Sequence, residues 1–128
     1  MKIKSIIIWI LFIILISCAT VEEIFISNSL NKINTLAVNL RTKLETQEID
    51  LNIKNDLDYL TKEWDKTEHI LCYLNNHNDL KEIGDALRYA KSYLNDNEKE
   101  DAIEKIDIVI YYADSYKKLL LFNLQNVF

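Results

Sequence analysis

The chain contains no proline and a single glycine, Gly84, in 128 residues. Sandwiches, barrels and meanders need turn residues at frequent intervals, so this scarcity excludes a strand-rich fold. Cysteine is sparse as well, limited to Cys18 and Cys72. Cys72 reads as a small buried filler. A redox role would need a second cysteine placed to resolve it, and there is none. Histidine occurs twice, at His69 and His77. No His-Glu-x-x-His pair, glycine-rich phosphate loop or nucleophilic serine arrangement is present. These absences point away from an enzyme, and no cofactor is expected.

An excess of positive charge is also missing. The chain carries 20 acidic and 15 basic residues, a net charge of −5. Lys2 and Lys4 sit at the start, so residues 22–128 hold all 20 acids but only 13 bases, a net of −7. Such a surface repels phosphate backbones and anionic lipid, which excludes nucleic acid as a partner. The signs alternate along the chain, as expected of solvated helix faces.

What the chain does have is an apolar run. Lys2 and Lys4 precede an unbroken stretch from Ile6 to Ile16, followed by Ser17-Cys18-Ala19-Thr20-Val21 and then Glu22-Glu23. Hydrocarbon about 30 Å thick needs roughly 17–25 apolar residues in a helix. Ile6 to Val21 gives 16, and Ile3 extends the stretch if Lys4 snorkels. The second reading is a secretory signal. Leu15-Ile16-Ser17-Cys18 fits the bacterial lipobox, in which cleavage before Cys18 leaves a lipidated cysteine. Lipoproteins usually follow that cysteine with a polar tether, whereas helical periodicity resumes here at once, which favours the span. Under both readings the lysines mark the cytoplasmic side. Residues 1–21 are thus a membrane anchor or lipoprotein signal, and residues 22–128 an extracytoplasmic domain.

That domain is long enough for one core. Four stripes recur at spacings of four and three: Ile26 to Leu44, Ile53 to Leu74, Leu80 to Leu94, and Ala102 to Leu120. Each is the seam of a helical bundle or coiled coil. Polar breaks separate them, with Asp50 expected to cap the second helix. Asp79 with Glu82, and Asn97 with Glu100, resemble capping boxes. Short connections imply antiparallel neighbours. The sequence therefore predicts an all-α protein: an N-terminal membrane helix followed by an up-down bundle of about four helices. The first helix of the bundle is expected to continue the membrane helix. The C-terminal Leu119-Leu120-Leu121-Phe122 would return toward the bilayer, packed on helix one or touching lipid.

Side chains with chemical potential are few. Asp65, His69 and Cys72 share one face of the second helix and are the candidates for a metal, since zinc accepts carboxylate, imidazole and thiolate. A structural role is preferred, because no second cluster has ligand spacing. His77 is expected in a turn, capping the end of helix two, where a cation suits the dipole. Gly84 is expected to permit close helix contact. Trp64 occupies a seam, and its indole N–H is expected to reach a polar neighbour. Tyr89, Tyr93, Tyr111 and Tyr112 flank their seams as rim residues.

Several pieces recur in a recognisable order. They are the short apolar helix, Trp64-x-x-x-x-His69, His77 through Ile83, Leu87-Arg88-Tyr89 with Tyr93-Leu94, the acidic turn before Ala102, and Asn126-Val127-Phe128. In this order the chain resembles domain-of-unknown-function family 4363, small bacterial membrane-anchored proteins without an assigned activity. Cys18 departs from the plain anchor of that family. The resemblance implies a helical fold, a bacterial membrane location and a membrane-protein partner, but no mechanism. A non-enzymatic interaction or scaffold module of the cell envelope is the leading expectation. A ligand- or metal-sensing domain is the alternative. The seams leave self-association open.

Overall fold

The computed structural model of the chain describes residues 2–71 and 77–127, with side-chain surroundings for 2–71 and 80–119. Four helices follow one another: α1 (Lys2–Thr46), α2 (Leu51–Leu71), α3 (His77–Asn95) and α4 (Lys99–Val127). No strand occurs among the described residues. The anchor and the first bundle helix are one uninterrupted element. α1 has 45 residues and, at 1.5 Å per residue, is about 67 Å long.

The bundle is square. α1 packs on α2 and α4, and α3 packs on α2 and α4. Among the described residues the backbones of the diagonal pairs do not come close. Cross-helix contacts fix the directions. On α1, Lys32 pairs with Glu63 of α2, while Lys43, further along, pairs with the earlier Asp56. Asp58 meets Lys91 of α3, and Lys105 of α4 lies over the Tyr89 ring. Arg41 holds Asp107. Neighbouring helices are thus antiparallel. The α1–α2 and α3–α4 connections lie at the same end, where the Lys99 ammonium donates to the Gln47 carbonyl.

The predicted stripes form the core. Ile26, Leu30, Ile33, Ala37, Leu40 and Leu44 are the buried residues of α1. Ile53, Leu57, Leu60, Trp64, Thr67 and Leu71 are those of α2. Leu80, Ile83, Leu87, Ala90 and Leu94 join them from α3, with Ala86 added to the seam, and Ala102, Ile106, Val109, Ala113 and Tyr116 from α4. Leu74 and Leu120 fall outside the residues with described surroundings. Thr67 is buried without cost because its hydroxyl donates to the Glu63 carbonyl at 3.0 Å. Residues 2–22 of α1, by contrast, touch no other helix deeply enough to be buried, and every one is exposed.

The caps explain where helices stop and start. Asp50 does cap α2, its carboxylate accepting from the Ile53 N–H at 2.9 Å. Asn97 serves the other junction differently from the sequence expectation. It takes φ 59°, and it ends α3 instead of starting α4. Its N–H donates to Leu94 O at 3.2 Å, and the Glu98 N–H to Tyr93 O at 2.8 Å. That is a Schellman closure with asparagine in the place usually held by glycine. α4 then opens with Glu100 and Asp101 in its first turn, suited to the positive end of the dipole. His77 is likewise not a turn residue: it opens α3.

Candidate functional site

The metal candidates fall only partly within the described residues. Asp65 and His69 lie one turn apart on α2 and are both exposed. Cys72, the third member, lies outside the described residues. Among the described residues, no three His, Cys, Asp or Glu side chains stand close enough to hold a metal ion. Cys18 is exposed on α1. It borders an apolar groove with Val21, Phe25 and Ile70 where α1 leaves the bundle.

The tyrosines divide. Tyr93 and Tyr112 are half-buried against the core, whereas Tyr89 and Tyr111 are exposed. Tyr111 meets Tyr112 edge to face at 5.4 Å.

A cleft with polar side chains around it lies between α2 and α3. This cleft, of about 300 Å³, is lined by Thr61, Trp64, Asp65 and Glu68 from α2, and by Lys81, Gly84, Leu87 and Arg88 from α3. Its geometry follows from two residues. Trp64 sits on the seam and is the largest fully buried side chain. Opposite it, α3 carries Gly84, where a Cβ would stand 3.6 Å from Trp64 Nε1. The missing side chain lets the indole lie beneath the helix backbone. Among the described residues, α2 and α3 approach each other least of the four neighbouring pairs.

The expectation that the indole N–H finds a polar neighbour fails. Trp64 Nε1 is buried and has no hydrogen-bond acceptor among the described residues. An unsatisfied buried donor costs about 1–3 kcal/mol, and nearly all buried polar groups avoid this. Thr61, one turn before it, donates its hydroxyl to Leu57 O at 2.9 Å and keeps its oxygen lone pairs. At the rim, Arg88 is paired with Asp85. Asp65, Glu68 and Lys81 have no ion pair among the described residues. The cleft therefore combines one orphan donor on its floor with uncommitted charges of both signs on its lips.

Residues 21–127 match the family model described as a domain of unknown function, DUF4363. The chain belongs to this family. No curated protein and no solved structure matches it. The DUF4363 match begins at Val21, where α1 passes from its bare half to the half that packs.

The sequence singled out Trp64, Asp65 and Gly84, but as unrelated residues. Glu68 and Lys81 carried no signal of their own, and Arg88 entered only within the Leu87-Arg88-Tyr89 piece. The one available clue was that a glycine interrupts the helix opposite a seam tryptophan.

Proposed function

We propose that this DUF4363 chain is a non-enzymatic interaction module held at a bacterial membrane. The bare half of α1 is its anchor, and residues 22–128 lie on the extracytoplasmic side, where the bundle binds another envelope protein. One observation carries the reading. α1 is a single helix whose exposed residues 2–22 are largely apolar and whose later residues form a bundle seam. It is the one described helix long and apolar enough to cross a membrane, and none of that stretch is buried. At 1.5 Å per residue the bare half covers about 32 Å, close to the roughly 30 Å of a hydrocarbon core. A signal sequence meets the same description, and Cys18 is the residue on which the two modes of tethering differ.

The test is crosslinking in intact cells followed by mild detergent solubilisation. A specific heterologous partner is expected. Recovery of monomer alone would sink the reading. Intact mass of the purified chain settles the anchor: an uncleaved N-terminus means a span, whereas a diacylglyceryl adduct on a chain starting at Cys18 means a lipoprotein.

A second reading, a small-ligand domain, is favoured by the orphan indole N–H over the α2–α3 cleft.

A further inference from the structure

We infer that the α2–α3 cleft is a binding site for a short zwitterion of the free amino acid class, with the Trp64 indole N–H as its buried hydrogen-bond donor. This rests on the second reading above and is independent of how the chain is anchored.

The donor comes first. Trp64 Nε1 is buried without an acceptor, at the floor of a cleft of about 300 Å³. That is the small end of the roughly 300–1,000 Å³ range of ligand pockets. An indole N–H donates only, so the ligand atom that meets it is an acceptor. The Gly84 backbone covers the nitrogen with no side chain between them, so an acceptor reaches it only where α2 and α3 part.

The charges then choose the ligand. Lys81 and Arg88 project from the α3 lip, and Asp65 and Glu68 from the α2 lip. Arg88 is shared with Asp85, whereas Lys81, Asp65 and Glu68 have no ion pair among the described residues. A carboxylate is therefore drawn to the indole N–H and Lys81, and an ammonium to Asp65 and Glu68. With Arg88 committed to Asp85, the lips offer one free cation against two carboxylates among the described residues, so a lone anion or a lone cation would leave one lip unmatched. An α-amino acid carries both groups within one small molecule. The nitrogen is covered in the closed bundle. Among the described residues α2 and α3 approach each other least of the four neighbouring pairs, so local opening there admits the ligand.

The experiment uses the full chain in dodecyl maltoside micelles with Trp9→Phe, which leaves Trp64 as the sole tryptophan. The ¹⁵N-indole resonance is followed while glycine, alanine, serine, glutamate and lysine are added. At least one amino acid should shift it saturably. Acetate and methylammonium should act at least about tenfold more weakly, because each lacks one charge-assisted contact. Gly84→Ala should fold normally by circular dichroism yet lose the shift, because its methyl occupies the acceptor's approach. Lys81→Met and Asp65→Asn should each weaken binding without changing helix content. An unmoved resonance with every amino acid overturns the proposal. So does equal binding of acetate or methylammonium alone, or undiminished binding by Lys81→Met and Asp65→Asn. A bundle that fails here but still recovers a protein partner leaves the interaction-module reading intact.

Discussion

Gly84 and Trp64 face each other across α2 and α3 so closely that a methyl on the glycine would stand 3.6 Å from the indole nitrogen. That is ordinary van der Waals contact, not a clash. Gly84→Ala should therefore stabilise the bundle by up to about 1 kcal/mol, the helix-propensity gap between the two residues. Thermal unfolding by circular dichroism should show a higher melting temperature. A larger residue has no such room. Gly84→Leu should overpack the indole and cost about 1–3 kcal/mol.

Burial separates the two halves of α1, and so should mutation. Leu40→Ala removes a side chain only 1% exposed and should cost about 2–5 kcal/mol. Ile10→Ala removes one that is half exposed and outside the bundle. It should leave bundle melting unchanged in detergent. Equal losses at both sites would mean that the N-terminal half packs on the bundle after all.

The junctions make opposite demands on their polar residues. Asp50→Ala deletes the acceptor for the Ile53 N–H and should cost about 1 kcal/mol. Asn97→Ala places a Cβ residue without a local polar side chain at φ 59° and should cost about 1–2 kcal/mol. Asn97→Gly should be neutral or stabilising, since glycine adopts that conformation freely. Chemical denaturation of the three variants checks the order.

Alkaline pH should loosen the α1–α2 face. The Lys32 ammonium is held above its ordinary value of 10.5, first by its interaction with Tyr59 and then by Glu63. A pKa raised in the folded state contributes stability that is complete below the unfolded value. It disappears as pH climbs through the folded value. The melting gap between wild type and Lys32→Met should therefore be constant from neutral pH to about pH 9, and close as pH climbs past the ordinary value of 10.5 and through the raised folded value. The gap should be small, because the pair is solvent-exposed. A gap that widens with pH would contradict the assignment.

The seams were legible because a helix buries one stripe and the chain offers only one stripe per segment. Ile33, Leu60, Ile83 and Ile106 could hardly point elsewhere. Asp50 was legible too, since a carboxylate three residues before a seam isoleucine is a local signal. Asn97 was not: an asparagine between two helices can end the first or start the second, and only its backbone angle decides. His77 entered α3 instead of the turn for a related reason, as helix boundaries carry little sequence signal. The cleft was the least legible feature. Trp64 reads as core from periodicity, but whether its N–H meets an acceptor depends on which α3 residue lies opposite. The antiparallel register put Gly84 there, and that register shows in distant pairs such as Asp58 with Lys91.

The unbroken course of α1 has one more consequence, which concerns phase. A helix advances about 100° per residue, and α1 has no proline, glycine or gap between Lys2 and Thr46 at which to lose that angle. The azimuth of the bundle is therefore locked to that of the apolar half. One residue inserted between Thr20 and Glu23 would swing the α2–α3 cleft about a quarter-turn around the axis of α1, while a seven-residue insertion would lift it by about 10 Å and nearly restore its heading. The direction in which the bundle faces its neighbours is thus encoded in the length of one helix.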